Sequence, residues 1–448
     1  TASVEYKLNI KENSAVAAFS GSGGHFLPLS FWYPTPNSWF FGRGADSAPV
    51  RIKVIAPGGQ TAIASGTEAG GSFDQTLGSQ PFFATGNWDV SNSNGVAVFA
   101  PKSTSAEGLK RASEMSAIVA EARAFTVGYL GSSPDVPLRI VAVRRGAGYS
   151  SAGTIMVDEA VFRRSKVDSL TAMILAESAV RTWIGGSIAA TGDGYGVVRE
   201  GLTRLIATEF IESKYGKDVA DIERLRQRTA YAAISKRDAP MSRTSPLDDF
   251  YFPEVANKGA MAWRLIAKRV GPAEFSRILK ANALDGDLTV SELRNAFAEN
   301  KELIDYLFDQ VTEMNLLVGL PQISGGDAKV ALRNTGAIDA TVTVRATQQN
   351  GSPMESSTTL KSLSFGEITF TTASKITRVE IDTDKLYPQI GYSDDVAPRE
   401  STDSDPLLTV KRAFDKQDFA GTETAARIIL RDLPRFDEVR TYLGRALI

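Results

Sequence analysis

The chain has 448 residues, with one histidine and no cysteine. This length suggests about three domains, since a domain usually spans roughly 100–200 residues. The absence of cysteine excludes disulfides, thiolate nucleophiles and iron–sulfur clusters, and the single imidazole, that of His25, excludes the usual catalytic zinc sites. A metal site built only from carboxylates is not excluded by the composition. With 52 acidic and 50 basic residues the net charge is −2. A charge of this sign and size does not predict binding to nucleic acid or to an anionic membrane.

No apolar run approaches the ~18–20 residues that span a bilayer, so we expect no transmembrane segment. The chain begins at Thr1 without an initiator Met and without the pattern of a signal peptide. We therefore expect this end to be either processed or engineered.

The distribution of residues predicts an α+β multidomain protein. Residues 1–103 are rich in Gly, Ser, Thr and aromatics and contain short apolar runs between turn signals, which predicts an N-terminal β-sandwich, possibly truncated. Residues 104–320 are mainly helical, with a small sheet formed by the apolar runs 138–143 and 154–157. The predicted helices are 105–129, 169–184, 200–215, 218–236, 259–270, 272–281, one starting at 289, and 302–312.

Residues 321–396 return to alternating apolar and polar side chains, and we expect a small antiparallel β-sandwich there. The last part, 397–448, is predicted to be a linker followed by three short helices. Asp405 and Pro406 supply an N-cap and a first-turn proline. The three helices are similar to a single tetratricopeptide unit, which cannot bury its apolar face alone. We expect the tail to pack on the main body or on a protein partner.

A spaced pattern of residues lies in the helical region. Trp183 and Gly185 follow Arg181 by two and four residues, and eighteen residues separate Arg181 from Glu200. The full pattern is Glu177-Ser178-Ala179-Val180-Arg181-Thr182-Trp183-Ile184-Gly185, then Arg199-Glu200-Gly201.

This pattern resembles the zinc motif of the aminopeptidase N family of metallopeptidases, the gluzincins. There, HExxH on one helix and a Glu on the next helix hold the zinc, and the Glu inside HExxH is the general base. The resemblance places Glu177 and Arg181 at the two His positions, Ser178 at the base position and Glu200 at the retained ligand position. A register shifted by one residue keeps Glu177 as a base. It puts Val180 and Arg199 at ligand positions, however, and misplaces Trp183.

Two further landmarks of the family can be placed by the same resemblance. Tyr149, after Gly146-Ala147-Gly148, stands where the family has the Glu that holds the substrate amino terminus. Ala256, before Asn257-Lys258-Gly259, stands where the family has the Tyr that stabilises the oxyanion. The resemblance implies a thermolysin-like domain over 104–320 between two β-sandwiches. From the family's exported members and the missing Met, we expect an extracytoplasmic protein, periplasmic or secreted.

The resemblance therefore implies a pseudopeptidase without zinc or any other cofactor. Both His ligands, the base, the amino-terminus clamp and the oxyanion donor are all replaced, so nothing is left to activate water. We expect binding of a peptide or protein at the vestigial cleft through Tyr149, Arg181 and Glu200. The alternatives are a working aminopeptidase or hydrolase with non-standard chemistry, and a purely structural domain.

Several residues have a simpler interpretation beside the functional one. We predict an ion triad of Glu177, Arg181 and Glu200, in which the guanidinium replaces the metal. The simpler interpretation is a pair of helices whose charged side chains are solvated. Ser178 lacks a neighbouring base and is predicted to be an ordinary helix residue. His25 is expected in a surface loop, and Asp193 in a plain turn rather than a cation loop. The basic residues around one helix are expected to form a solvated face. They are Arg224, Arg226, Arg228, Lys236 and Arg237.

Overall fold

The computed structural model describes residues 3–34, 48–76, 80–151, 153–372 and 374–448. The chain forms two compact units. The first consists of Thr1–Arg199 with Ser276–Leu293, and the second of Glu200–Phe275 with Arg294–Ile448. Both units combine helices and sheets, which confirms the α+β class. The predicted division into four domains stays a prediction.

Short strands occupy the described part of the first hundred residues, as their turn-rich composition predicts. The strands are β1 (Ala17–Ser20), β2 (Gly23–Phe26), β3 (Val50–Ile52), β4 (Thr61–Ala64), β5 (Thr67–Ala69), β6 (Ser72–Gln75), β7 (Phe83–Gly86), β8 (Trp88–Ser93) and β9 (Val96–Pro101). One antiparallel sheet has the order β1-β2-β7-β4, and a second has the order β3-β6-β5.

A five-stranded sheet includes β8 and β9 and continues beyond them. The added elements are α1 (Ala106–Leu130), β10 (Leu138–Val143), β11 (Ser150–Ser151) and β12 (Thr154–Asp158). The sheet order is β11-β12-β10-β9-β8, and β10 is parallel to both β9 and β12. Parallel neighbours need a long crossover, and α1 provides it between β9 and β10. The sheet thus contains strands from both sides of residue 103.

Two helices pack beside this sheet in the first unit. α1 begins at Ser105, whose Oγ accepts the N–H of Gly108 at 3.2 Å, and it packs on β8 and β9. α2 (Ser169–Val180) begins at Asp168, whose Oδ1 accepts the N–H of Thr171 at 2.8 Å. α2 packs on α1 and β12. Ser and Asp are preferred N-caps because they satisfy first-turn N–H groups, so the sequence marks both starts.

The remaining helices of the predicted helical region lie close to their expected positions. The elements are β13 (Ala189–Thr191), α3 (Thr203–Tyr215), α4 (Lys217–Ile234), α5 (Gly259–Val270), α6 (Pro272–Asn282), β14 (Asp287–Thr289), α7 (Val290–Ala296) and α8 (Lys301–Asp309). The parallel pair of β13 and β14 was not predicted, since three residues are too few to show a period. Two π-helical turns, Val197–Leu202 and Phe252–Lys258, precede α3 and α5 and were also missed.

The second unit contains two antiparallel sheets, and the β-sandwich domain at 321–396 stays a prediction. The strands are β15 (Leu316–Val318), β16 (Gln322–Ser324), β17 (Asp327–Asn334), β18 (Ala340–Gln348), β19 (Pro353–Leu360), β20 (Phe365–Thr371), β21 (Ile376–Ile381) and β22 (Val396–Ala397). In one sheet β17 pairs with β15 and β16 on one edge and with β20 on the other, and the second sheet has the order β19-β18-β21-β22. Buried and exposed residues alternate along β17, as its sequence predicts.

Three helices form the tail, as predicted: α9 (Pro406–Asp415), α10 (Phe419–Asp432) and α11 (Asp437–Ala446). Asp405 caps α9, with its Oδ1 accepting the N–H of Leu407 at 3.0 Å. The tail shares a core with Ile222 and Leu225 of α4. The tail therefore packs on the main body, which is the first of the two arrangements predicted for its apolar face. No helix among the described residues has the length and hydropathy that crossing a membrane requires.

His25 is buried, so the prediction of a surface loop is wrong. It lies in β2 with 3% of its surface exposed, and its Nε2 atom is 2.9 Å from the carbonyl oxygen of Ala15. The two preceding glycines suggested a turn, but they are strand residues. At Gly24 a Cβ would lie 2.7 Å from the carbonyl oxygen of Ala18, so glycine allows close strand approach.

The basic residues of α4 do not form the solvated face that was predicted. Arg224 is 4% exposed, and its guanidinium bonds Asp221 at 2.8 Å, Glu209 at 3.2 Å and also Glu212. Arg228 is 9% exposed, with its guanidinium 5.2 Å from the ring centre of Tyr392. The acidic partners on α3 are distant in sequence, which is why the pattern of α4 alone did not reveal the burial.

Candidate functional site

Three of the motif positions lie at the end of α2. Glu177 and Ser178 belong to its last turn, and Arg181 is the first residue after it, with its N–H donating to the Glu177 carbonyl at 2.9 Å. The Ser178 hydroxyl donates to the Ile174 carbonyl at 2.6 Å, and the residue is 4% exposed. The hydroxyl proton is therefore engaged within the helix. This arrangement agrees with the interpretation of Ser178 as a helix residue.

Trp183 and Gly185, the landmarks after Arg181, have structural causes in this chain. Trp183 is 1% exposed, its Nε1–H donates to the Ser132 carbonyl at 2.9 Å, and the Arg123 guanidinium lies 5.5 Å from its ring centre. Gly185 has φ +83°, a conformation that L side chains rarely adopt. Both residues shape the turn that follows α2, so their presence does not depend on a metal.

Glu200, which the resemblance places at a ligand position, lies in the π-helical turn Val197–Leu202 and is 6% exposed. At the next residue, Gly201, a Cβ would lie 2.9 Å from the carbonyl oxygen of Val255. Glycine is thus required for close packing on the turn Phe252–Lys258. Because Glu200 begins the second unit while Glu177 and Arg181 lie in the first, the ion triad of these residues stays a prediction.

Tyr149 is partly buried and packs on the core of the first unit. Its ring makes an edge-to-face contact with Phe82, with centroids 5.4 Å apart, beside the buried cluster that contains Val141 and Met156. Burial raises the pKa of the Tyr149 phenol, and a hydrogen bond from Ser151 opposes this only in part. The phenol is therefore neutral at physiological pH. This geometry is that of a packing residue, and a binding role for Tyr149 stays a prediction.

Ala256, at the oxyanion position, is 2% exposed within the turn Phe252–Lys258. Its methyl group offers no proton. Two residues later, Lys258 is fully buried, and its Nζ atom bonds Asp238 Oδ1 and Glu254 Oε1, each at 2.8 Å. The ammonium group is also 5.0 Å from the ring centre of Tyr231. Lys258 therefore holds this turn in place instead of facing a substrate.

The environment of Lys258 is an almost completely buried network of charges. Asp238 Oδ2 accepts the Tyr231 hydroxyl at 3.0 Å and the N–H of Thr312 at 3.0 Å. Glu254 Oε2 is buried without a hydrogen-bond partner among the described residues. Burial raises the pKa of Glu254 to about 8, the Asp238 carboxylate raises it further, and Lys258 opposes the rise. The network thus favours a protonated Glu254 near neutral pH.

The sequence analysis missed Asp238, Glu254 and Tyr231. Glu254 and Lys258 are four residues apart with the acid first, a spacing that favours an ion pair and that was available as a signal. Asp238 follows a helix end, and Thr312 is far along the chain. Nothing local indicates that these two meet, because only the tertiary fold brings the segments that follow α4 and α8 together.

The donor set does not fit a zinc ion. Arg181 cannot ligate a cation, since its guanidinium carries only donors and stays protonated. His25 is the single imidazole of the chain, and it lies in β2 with its Nε2 atom against the Ala15 carbonyl. In the part of the chain that the structure describes, no group of three or more His, Asp or Glu side chains is arranged to hold a metal.

Comparison with known proteins gave matches in structure only. No family model matches the sequence, and no curated protein does. Aminopeptidase A of Legionella pneumophila, solved in complex with aspartic acid, aligns at a TM-score of 0.59 with 12% identity, over 94% of this chain and 52% of that one. An M1 zinc metallopeptidase of Deinococcus radiodurans aligns at a TM-score of 0.48 with 14% identity, over 65% of this chain and 70% of that one.

These similarities concern the fold. The alignment with the Legionella enzyme, at low sequence identity, shows a likeness in fold and does not test the motif around Glu200. The chain spans about half the length of the Legionella enzyme. The fold of this protein is aminopeptidase-like.

Proposed function

We propose that this chain is a non-catalytic relative of the zinc aminopeptidases and acts by binding a peptide or protein. The observation that carries the proposal is the state of the base position. The Ser178 hydroxyl donates a hydrogen bond to the Ile174 carbonyl inside α2, whereas a general base would have to accept a proton from water. A hydroxyl held in this way cannot take that role.

The other vacated positions support the same proposal. Arg181 replaces a ligand with a permanent cation, and Ala256 offers a methyl group where an oxyanion would need a donor. Peptide hydrolysis at neutral pH needs a nucleophile more reactive than bulk water. These residues supply neither a base, a metal ligand set nor an oxyanion donor, so no step of hydrolysis is assigned to them.

Binding is the role that the replacing residues allow. Arg181 provides a permanent positive charge and a planar fork of donors that matches a carboxylate, such as a peptide terminus or an acidic side chain. Tyr149 contributes an aromatic ring face and a neutral phenol, since burial raises its pKa. We propose that a peptide or protein segment contacts Arg181 at the vestigial position.

The first experiment measures zinc and activity in the same purified protein. Metal analysis should give far less than one equivalent of zinc, and aminoacyl p-nitroanilides should not be hydrolysed above background, because the donor set lacks two imidazoles and the base. One equivalent of zinc, or hydrolysis that a chelator abolishes, would contradict the proposal and favour a working hydrolase.

A matched variant tests whether the replaced residues alone account for the expected lack of bound zinc. The triple substitution E177H/S178E/R181H restores the family's donor types around the native Glu200. If the vacated positions are the cause, this variant should take up zinc while the unsubstituted protein does not. Binding is then measured separately with a labelled peptide, where R181Q should weaken binding relative to E177Q. If the unsubstituted protein, R181Q and E177Q bound the peptide equally, Arg181 would not be part of the binding site.

A further inference from the structure

A cavity of about 530 Å³ opens in the first unit, and none of its lining residues belongs to α2. It lies between the hairpin of β1 and β2, the turn between β7 and β8, and the residues at the end of β10. Its volume is within the range of roughly 300–1,000 Å³ that is typical of ligand sites. The proposed function makes no use of this cavity.

One part of the wall is a fixed aromatic surface. The Trp88 Nε1–H donates to the Ala142 carbonyl at 2.9 Å, and the ring of Trp88 makes an edge-to-face contact with Phe99. At Gly86 a Cβ would lie 2.6 Å from the Trp88 ring, so the indole rests directly on the backbone. Phe19, which also lines the cavity, is 56% exposed. An apolar group could therefore pack here without rearranging the wall.

The charged side chains of the wall are three cations and one carboxylate, in a chain whose net charge is −2. Lys102 is paired with Asp89 at 2.7 Å, and Arg144 with Glu159 at 3.2 Å. Arg145 differs from them, because its Nη1 donates to the Asn13 carbonyl at 3.2 Å and it has no ion pair with any described residue. The rest of its fork of donors is available for a carboxylate.

A second cavity of about 530 Å³ shares Asn13, Phe19, Gly24 and Thr85 with the first. Its other lining residues are mostly apolar and include Leu8, Ile10, Val54, Ile55 and Phe83. Directly paired residues lie on one face of a sheet and neighbours along a strand alternate, so Phe26 and Phe83 of the second cavity lie on the face opposite to Ala18 and His25 of the first. The two cavities are therefore on different faces of the sheet, and Arg145 lines the first.

The edge of β1 is not free to pair with an added peptide strand. The outward N–H of Phe19 already donates to Asn13 Oδ1 at 2.9 Å, and that of Ala17 donates to Ser14 Oγ at 3.1 Å. Addition of a peptide as a further strand would need these groups free. Recognition must therefore use side chains, with Arg145 as the charged group and Trp88 and Phe19 as the apolar ones.

We propose that the first cavity binds an acidic peptide segment, with a carboxylate held by Arg145 and neighbouring apolar side chains packing on Trp88 and Phe19. This site is independent of the vestigial metallopeptidase positions and would add a second contact for a peptide or protein partner.

The test uses two labelled peptides and fluorescence anisotropy with the full chain. One peptide has two apolar residues followed by an Asp and a Glu, and the other has Asn and Gln in their place with an amidated end. We expect the acidic peptide to bind more tightly and its affinity to fall with added salt. The substitution R145Q should weaken its binding about tenfold or more, the loss expected for one charge-assisted pair.

Controls separate this site from general electrostatic attraction and from the proposed function. Lys53 is exposed, belongs to the same unit and lines neither cavity, so K53Q removes the same charge and should leave binding within about twofold. Equal losses in R145Q and K53Q, equal affinity for both peptides, or no binding of the acidic peptide would overturn the proposal. If R181Q weakens binding and R145Q does not, the peptide uses the vestigial position, and only this second site fails.

The source of the carboxylate is resolved with two further peptides. Amidating only the end of the acidic peptide tests the terminal carboxylate, and replacing only its Asp and Glu tests the side chains. If amidation lowers the affinity to that of the neutral peptide, Arg145 holds the terminal carboxylate. If replacing the Asp and Glu does so, Arg145 holds a side-chain carboxylate.

Discussion

At the scale of single residues, the burial of Glu254 has a consequence for stability. The pKa of Glu254 rises from its usual 4.5 to about 8, mainly through burial. Since the folded pKa is above the unfolded one, folding takes up a proton between these values. The stability that protonated Glu254 provides is complete below about pH 4.5, declines as pH rises, and is lost by about pH 8.

The substitution E254Q tests this, because glutamine is close in shape to a protonated Glu254 and cannot ionise. The midpoint of urea unfolding should fall less between pH 5 and pH 9 in E254Q than in the unsubstituted protein. The limiting slope for one group is about 1.4 kcal/mol per pH unit. Exposed Glu299 serves as the control, and E299Q should keep the original pH dependence.

Part of the pH dependence should survive in E254Q. Burial also raises the pKa of Asp395 to about 8, and the neighbouring Asp382 adds to the rise while Lys385 opposes it. The two carboxylates lie in different networks, so D395N should remove a separate share of the slope. If E254Q and the unsubstituted protein showed the same dependence on pH, Glu254 would be ionised in the folded state.

The sequence predicted less of the candidate site at this scale than its motif suggested. The spacing from Arg181 to Glu200 located the positions, and the hydrogen bond of Ser178 agrees with its predicted role in the helix. The burial of Lys258 and its pairing with Asp238 could not be predicted. A charged side chain shows no local sign of being buried when its partner is supplied by another element.

At the scale of elements, α1 offers a matched pair of glycines. Gly128 is exposed within the helix, and a Cβ there would meet no atom within 4 Å. At Gly108 a Cβ would lie 2.3 Å from Thr104 Cγ2 and 3.1 Å from the Phe162 carbonyl oxygen. The same substitution should therefore have different effects at the two positions.

We expect G128A to raise the free energy of unfolding by about 0.5–1 kcal/mol, because alanine loses less backbone entropy than glycine on entering a helix. G108A should gain less or destabilise, since its methyl group must displace Thr104 and press on the carbonyl. Urea unfolding of both variants measures the difference. An equal gain in both would mean that the contact of α1 with residue 162 is looser than the structure has it.

The helices were more predictable than the π-helical turns. α1, α2 and α9 begin at Ser105, Asp168 and Asp405, each a side chain that satisfies first-turn N–H groups. Such signals are local and appear in the sequence. The turns Val197–Leu202 and Phe252–Lys258 have no such mark, because one added residue per turn is set by packing, as at Gly201 against Val255.

At the scale of the whole molecule, the tail is held by a core that it shares with α4. Phe436 is 2% exposed and packs with Ile222, Leu225 and Val439, among others. Ion pairs join the tail to β21 as well, with Arg378 bonding Glu400 at 3.2 Å and Asp432 at 2.9 Å. The tail is thus part of the second unit.

Removing the largest side chain of this core should loosen the tail. We expect F436A to cost about 3–5 kcal/mol, the usual loss for a buried phenylalanine. Hydrogen exchange should then show faster exchange over α9 to α11 and α4. Leu447 is 57% exposed, and L447A should stay within about 0.5 kcal/mol of the unsubstituted protein. Unchanged exchange in F436A would mean that the tail folds independently of α4.

The sequence by itself determined the class of the fold and most helices and strands, and it predicted the positions where a zinc peptidase would carry its histidines. These follow from periodicity, capping residues and spacing along one chain, which are local. The tertiary structure decided that His25 and Arg224 are buried, that Lys258 bonds Asp238 and Glu254, and that Arg145 borders a cavity without an ion pair. Burial and pairing depend on residues distant in sequence, and packing alone brings them together.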